Sequence, residues 1–333
     1  MRAAVFGRYG PPDVFQIKDV EKPAPGSHDV LIRIHATTVC AADWRVRKGD
    51  PFFVRFAFGF WRPKKVSILG MELAGTVESV GDAVTRFKVG DQVFGGTGFK
   101  FGAYAEYACL PENSRLAIKP VNMTLDHAAA VFFGGVTALY FLREAKVREG
   151  QRVLIYGASG SVGTSAVQLA KYFGAHVTAV CSSANLQLMK SLGADNVVDY
   201  TSEDFSSAGR VYDTVFDTVG SSGFRRSLRA LKRGGSYVQC GYSGRLLSIP
   251  AAMIGGMWAS LTGAAKIIGG VARGSPEDPS FLKGLIEAGK LRTVIDRRCT
   301  LDEIAEAHRY AQAGHKKGNV IITVEQTSLP PNL

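Results

Sequence analysis

The chain has 333 residues, 46% hydrophobic and 21% charged; this excludes a disordered or fibrous protein and is too long for one ordinary core, so two domains are expected. Its net charge of +11 is spread along the chain without one dense block, which reads as a solvated basic surface first and a bias toward anionic ligands second. Nucleic-acid binding is not expected, because no recognition motif accompanies the charge.

Five scattered cysteines (Cys40, Cys109, Cys181, Cys240, Cys299) with no CxxC argue against a disulfide framework and for a reducing compartment. The opening "MRAAVFGRYG" shows no basic-then-apolar leader, so a cytoplasmic protein is expected. "DVLIRIHATTV", "ELAGTVESVG", "DQVFGG" and "AYAEYACLP" then alternate between turns rich in Gly, Asp and Pro, the pattern of a barrel-like β domain. The aromatic run "PFFVRFAFGFW" at 51–61 is too short to span a bilayer and reads either as a wall of a hydrophobic pocket or as core or lid packing.

From Asn122 the pattern changes. "MTLDHAAAVFFGGVTALYFLREA" predicts one helix capped by Thr124. "RVLIYG" predicts a buried parallel strand, and the next helix has Val162, Ala166, Leu169 and Phe173 on one face. "AHVTAV", "DNVVDY", "YDTVFDTV" and "GSYVQCGY" continue the series, predicting an open parallel sheet. The apolar stretch 251–271 contains Lys266 and repeated glycines and reads as a buried or subunit-facing segment; no membrane span is expected. The tail 292–324 reads as strand, helix and strand, with Thr300 and Glu303 in capping-box spacing, and is expected to rejoin the first domain.

Between strand and helix, "YGASGSVGT" places Gly160 for close approach of a pyrophosphate and Gly163 for close helix–strand packing. Free N–H groups at the helix start, around Gly160, Ser161, Val162 and Gly163, can hold a diphosphate, with hydroxyls from Ser159 and Ser161. Ala158 replaces the first glycine of the common pattern, and a tight turn without ligand is the alternative. Some twenty residues on, where an NAD site places a carboxylate, "VCSSANLQ" has none. Ser182 and Ser183 can donate to a 2′-phosphate, so NADPH is expected over NADH.

With "YGPPDVFQIKDVEKPAPGSHDVLIRIHA", "ILGMELAGTVESVGDAVTRFKVGDQVFG", "GASGSVGTSAVQLAKYFGAHVTAV", "LGADNVVDY" and "GHKKGNVIITV", nearly the whole chain resembles the medium-chain dehydrogenase/reductase superfamily, in its zinc-free quinone oxidoreductase (zeta-crystallin-like) branch. The resemblance implies an α/β protein: a GroES-like β-rich catalytic domain over 1–121, completed by 292–333, and a Rossmann doubly wound parallel-sheet domain over 122–291, with the cofactor between them and relatives often homodimers. It places Thr137 by the nicotinamide and Tyr200 by the 2′-phosphate. Val219 and Gly241 follow cofactor-lining strands, and the tail from His315 to Asn319 can reach the cofactor, with Lys317 a candidate for charge. Each of these can instead be structural.

No metal is expected. Zinc relatives use Cys and His; here Cys40 stands at the first ligand position, but Met71 replaces the histidine of Gly-His-Glu, and a thioether is a poor zinc ligand. His127 reads as an ordinary residue at a helix start. Asp43 lies in the turn that the resemblance sets by the nicotinamide, as a catalytic or turn-stabilising carboxylate, and Cys40 is a filler or a substrate neighbour. Phe52 takes the place of a tyrosine proton donor found in some relatives. The expected activity is zinc-independent, NADPH-dependent hydride transfer to a small hydrophobic quinone or α,β-unsaturated carbonyl. A non-catalytic NADPH-binding interaction or structural protein, and a zinc alcohol dehydrogenase, are the alternatives.

Overall fold

The computed structural model describes residues 1–64, 66–241 and 264–324. The chain gathers into two compact units, one of Met1–Phe133, Ser275–Gly289 and Thr293–Leu333, the other of Gly134–Gly274 and Lys290–Arg292. Compactness thus groups 122–133 and 275–289 with the first unit, whereas the sequence division ran at 121/122 and 291/292. The helix Asp278–Glu287 explains the second difference: its Ile286 carbonyl accepts from Asn122 Nδ2 at 3.0 Å and Glu287 accepts the Val121 N–H at 3.1 Å.

In the first unit β1 (Arg2–Phe6) pairs antiparallel with β2 (Phe15–Asp19). The spine is β3 (Asp29–Thr38), whose Val30, Ile32, Ile34 and Ala36 alternate and are all fully buried. It pairs antiparallel with β4 (Glu72–Val80) and β6 (Tyr107–Pro111), and β4 leads on to β5 (Gln92–Gly96) and β7 (Leu116–Ile118). The tail contributes β14 (Ile295–Thr300) and β15 (Asn319–Thr323), and β15 pairs with β3, Ile321 opposite Thr38. The tail therefore completes the sheet begun near the N-terminus.

The second unit holds six parallel strands in the order β10-β9-β8-β11-β12-β13, namely β8 (Arg152–Tyr156), β9 (His176–Cys181), β10 (Asn196–Asp199), β11 (Tyr212–Asp217), β12 (Leu231–Gln239) and β13 (Ala265–Gly269). This is the doubly wound order, and its reversal point lies between β8 and β11, where such sheets bind ligands. Of the apolar stretch 251–271, residues 251–263 lie outside the described residues, and Ala265–Gly269 is the edge strand.

The helix expected from Thr124 onward is two helices, Leu125–Ala129 and Phe132–Glu144. Thr124 Oγ1 accepts the His127 N–H at 3.4 Å and starts the first. The second begins where the Phe133 N–H is taken by Glu72 Oε2 at 2.6 Å. A tertiary acceptor thus replaces the intrahelical one, which local propensity cannot register. The stretch Leu125–Glu144 is apolar and long enough to cross a membrane, but 67% of its apolar window is buried inside the fold.

Candidate active site

The glycine turn forms in the second unit because side chains have no room there. Gly157, at φ +76°, ends β8, and a Cβ on it would lie 2.3 Å from Val219 Cγ2. A Cβ on Gly163 would lie 2.3 Å from the Gly157 carbonyl oxygen, so only glycine lets the helix Ser161–Tyr172 sit this close to the strand end. At Gly160 the nearest atom to an added Cβ is Gly157 O at 3.6 Å, which leaves that face open. No side chain caps this helix, so its first N–H groups and the positive end of its dipole are available to an anion. The Ser161 hydroxyl is buried and has no hydrogen-bond partner, and Ser159 and Val162 are half-buried beside it. These features fit a diphosphate.

Two further loops meet this turn. Asp217, buried at the end of β11, accepts the N–H groups of Val219, Gly220 and Ser222 at 2.9, 2.7 and 2.9 Å and folds the following loop into place, with Val219 exposed. Gly241 lies so close to that loop that a Cβ on it would be 2.3 Å from the Val219 carbonyl carbon. Gly157, Val219 and Gly241 thus converge at the ends of β8, β11 and β12. Gly134 packs under Ser161, and Thr137, half-buried, follows one helical turn later.

The ends of β9 and β10 bring together Ser182, Ser183 and Tyr200. Ser182 Oγ accepts from Asn185 Nδ2 at 3.0 Å, which leaves its own proton to donate, and Ser183 is exposed. The exposed Tyr200 ring lies 6.4 Å from that of Tyr156. One feature here was not legible in the loop. Asp199 stands in register with Cys181 and accepts from Thr201 N and Oγ1 at 3.0 and 2.7 Å. These two bonds, with a weaker one from the Ser183 N–H, hold its carboxyl below the usual range. The next strand therefore returns to this edge the acid that "VCSSANLQ" lacks.

Lys317 and Asn319 belong to the first unit. Lys317 is exposed and its backbone N–H donates to Asp296 Oδ2 at 2.9 Å. Asn319 is buried, with its side-chain amide donating to the Val294 carbonyl at 3.1 Å.

The first unit also contains a buried polar cluster. Cys40 starts the helix Ala41–Lys48, and Asp43 lies in its first turn. Asp43 accepts the Cys40 N–H at 2.9 Å and the Gly70 N–H at 3.0 Å, and is fully buried. Burial raises its carboxyl to about 6 against these stabilising donors. Burial also pushes the Cys40 thiol well up, so it is a thiol at neutral pH. Glu72 accepts from the Thr38 hydroxyl as well as from Phe133, and burial raises it to about 7. The Lys316 ammonium donates to the Gly318 carbonyl; burial lowers it, and the nearby carboxylates Glu72 and Asp296 pull it back up. Behind Asp43, the buried Tyr104 hydroxyl donates to the Thr38 carbonyl at 3.2 Å and pairs with His308 Nε2 at 3.1 Å.

This donor set does not fit a catalytic zinc. Met71 stands beside Glu72, the oxygens of Glu72 and Asp43 are already taken by protein donors, and Cys40 favours its protonated form. Among the described residues no three His, Cys, Asp or Glu side chains are grouped to hold a metal ion. His127 bonds Thr293 Oγ1 through Nδ1 at 2.8 Å. Tyr104 and His308 carry no local sequence signal; Lys316 falls within the tail His315–Asn319 expected at the cofactor, where Lys317 is the candidate for charge.

Comparison with known proteins bears on both units. The model of the alcohol dehydrogenase GroES-like domain matches residues 26–120, and that of the zinc-binding dehydrogenase family matches residues 192–322. A chloroplastic quinone-oxidoreductase homolog of Spinacia oleracea is 34% identical over 97% of this chain and 98% of its own. A 2-methylene-furan-3-one reductase of Solanum lycopersicum is 32% identical over 97% of this chain and 79% of its own. The solved quinone oxidoreductase of Coxiella burnetii superposes with a TM-score of 0.86 at 30% identity, covering 98% of this chain and 99% of that one. The fold and the glycine turn define an oxidoreductase that works with a nicotinamide dinucleotide, NAD(P)H. The chain belongs to the medium-chain dehydrogenase/reductase superfamily, in its quinone oxidoreductase branch.

Proposed function

We propose that the protein is a zinc-independent, NADPH-dependent reductase of quinones and α,β-unsaturated carbonyls in a reducing, cytoplasmic setting, in which its five cysteines, none of them in a disulfide, stay reduced. The observation that carries the cofactor reading is the Ser182 hydroxyl, whose oxygen is occupied by Asn185 and whose proton is left for an acceptor. Bound NADPH would supply the hydride. Gly160, Ser161, Val162 and Gly163 would hold its diphosphate, and Ser182, Ser183 and Tyr200 its 2′-phosphate. We place Thr137, Val219 and Gly241 at the nicotinamide half; Lys317 and Asn319, expected at the cofactor from the resemblance, lie in the other unit.

The substrate class follows from the names of the relatives and from the donor set. Without a Lewis acid an alcohol is hard to acidify, while quinones and enones already accept hydride at a polarised carbon. Charge then develops on the acceptor oxygen. Lys316 is the cation suited to meet it, and Glu72, poised to about 7, can exchange a proton near neutral pH. Asp43 and Cys40 serve by fixing the loop beside Gly70 against the start of the helix Ala41–Lys48.

The test is consumption of NADPH by the purified protein with 9,10-phenanthrenequinone and with an enone, beside titration of both dinucleotides. Oxidation with tighter NADPH binding supports the reading. Tight binding without turnover across a broad acceptor panel overturns the proposed reaction. Equal or tighter NADH binding overturns the cofactor assignment, an outcome that Asp199 beside Ser183 would explain.

A further inference from the structure

The segment 52–64 combines features that the reaction does not use. Val54 and Phe58, four residues apart, face inward onto the core around Leu69 and Phe101, and the Phe58 ring lies 5.7 Å from that of Phe101. The residues around them face solvent: Phe53, Phe56 and Trp61 are 56%, 68% and 85% exposed. The outward rings touch in series, Phe52–Phe56 at 5.8 Å, Phe52–Phe60 at 5.4 Å, Phe56–Phe60 at 5.6 Å and Phe60–Trp61 at 4.9 Å. This is one contiguous aromatic patch where a soluble surface helix ordinarily carries polar residues.

Charge beside the patch is of one sign. Residues 45–65 contain seven Lys or Arg and one acid, Asp50, and that acid pairs with Lys48 at 2.9 Å. Arg62 and Lys64, next to Trp61, are exposed, with no acidic partner among the described residues. Exposed aromatics flanked by the exposed Arg62 and Lys64 match the headgroup boundary of an anionic bilayer, where rings enter the acyl edge and Lys and Arg meet lipid phosphates. A second copy is a poorer match, because like charges at +11 per chain oppose it and a stable interface needs roughly 800 Å² per partner.

We propose that this patch docks the protein peripherally on an anionic lipid surface, with Phe53, Phe56 and Trp61 inserted and Arg62 and Lys64 on the headgroups. The experiment is co-sedimentation of the full chain with vesicles of phosphatidylcholine alone or mixed with phosphatidylglycerol, at low and raised salt, with tryptophan emission recorded. The expected result is at least about ten-fold stronger partition onto the anionic vesicles, weakened by salt, with a blue shift absent from Trp61→Phe. Phe56→Ser with Trp61→Ser loses at least about ten-fold in partition while melting as wild type, and Arg62→Gln with Lys64→Gln loses the preference for anionic lipid. No partition onto either vesicle overturns the proposal, as does equal partition of the Phe56/Trp61 double variant. Self-association that this variant abolishes, without vesicle binding, overturns it in favour of a second copy.

Discussion

Glu72→Gln isolates the electrostatics of the buried cluster. Glu72 is 1% exposed, and its carboxyl is raised from 4.5 to about 7, by burial first and then against donors from Thr38 and Phe133. A carboxyl that holds its proton more tightly in the folded state stabilises the fold below the unfolded value, and that stability is lost as pH rises through the folded value. The window therefore runs from 4.5 to about 7, and roughly 2.5 units at about 1.36 kcal/mol each make ~3 kcal/mol. Glutamine copies the neutral form: its carbonyl can accept from Phe133, and its amide can donate to Thr38 once that hydroxyl turns. Urea unfolding between about pH 4.5 and pH 8 should show the wild type losing ~3 kcal/mol more than the variant. Asp43, raised in the same direction to about 6, remains in both proteins and largely cancels, and Lys316 and Cys40 are likewise shared. Parallel stability curves would refute the reasoning, because they would mean that Glu72 titrates alike folded and unfolded.

Other outcomes follow from the same geometry. Ser182→Ala should weaken NADPH by about ten-fold or more and leave NADH unchanged, since only the 2′-phosphate loses a charge-assisted bond; fluorescence titration reads both. Asp199→Asn should improve NADPH relative to NADH by about three- to ten-fold, more at low salt. Gly160→Ala should cost at most about 1 kcal/mol of stability yet at least about ten-fold in dinucleotide affinity, because its methyl fills the open face. Gly163→Ala, whose Cβ would lie 2.3 Å from Gly157 O, should destabilise by roughly 2 kcal/mol, seen in thermal unfolding. Tyr104→Phe leaves buried His308 with neither nitrogen bonded and should cost about 1–3 kcal/mol. Lys316→Met should lower kcat at least about ten-fold with NADPH binding intact; unchanged kcat would remove it from the reaction.

What could be read from the sequence was local. The turn at 157–163 declares itself because strand, turn and helix are consecutive and only glycine tolerates the contacts at Gly157 and Gly163. The strands declare themselves by alternation, as in Val30, Ile32 and Ile34. The helix break before Phe132 does not, because "AAAVFF" contains no breaker and the cause is Glu72, far away in sequence. Asp199 was missed for a related reason: a search along the loop after β9 cannot see a carboxylate brought there by the neighbouring strand. The buried cluster draws on Thr38, Asp43, Glu72, Tyr104, His308 and Lys316, which only the pairing of β3 with β4 and β15 assembles.

That assembly also bears on why a metal is not needed in the proposed reaction. Two carboxyls poised to about 6 and about 7 and one partly buried ammonium share a small volume of low polarity. Near neutral pH Asp43 is largely ionised and Glu72 is divided between its two forms, while Glu72 and Asp296 favour the charged form of Lys316. An acceptor oxygen that gains negative charge beside this group disfavours the ionised form of Glu72 and favours the charged form of Lys316. Both responses put positive charge or a proton where the oxygen needs it, and neither requires a ligand to leave a metal. A fixed divalent cation would instead hold Glu72 ionised across the working range and remove the proton exchange. In the proposed reaction, Met71 where the resemblance to zinc relatives expects a histidine, and Lys316 in the cluster, would be two parts of one electrostatic solution.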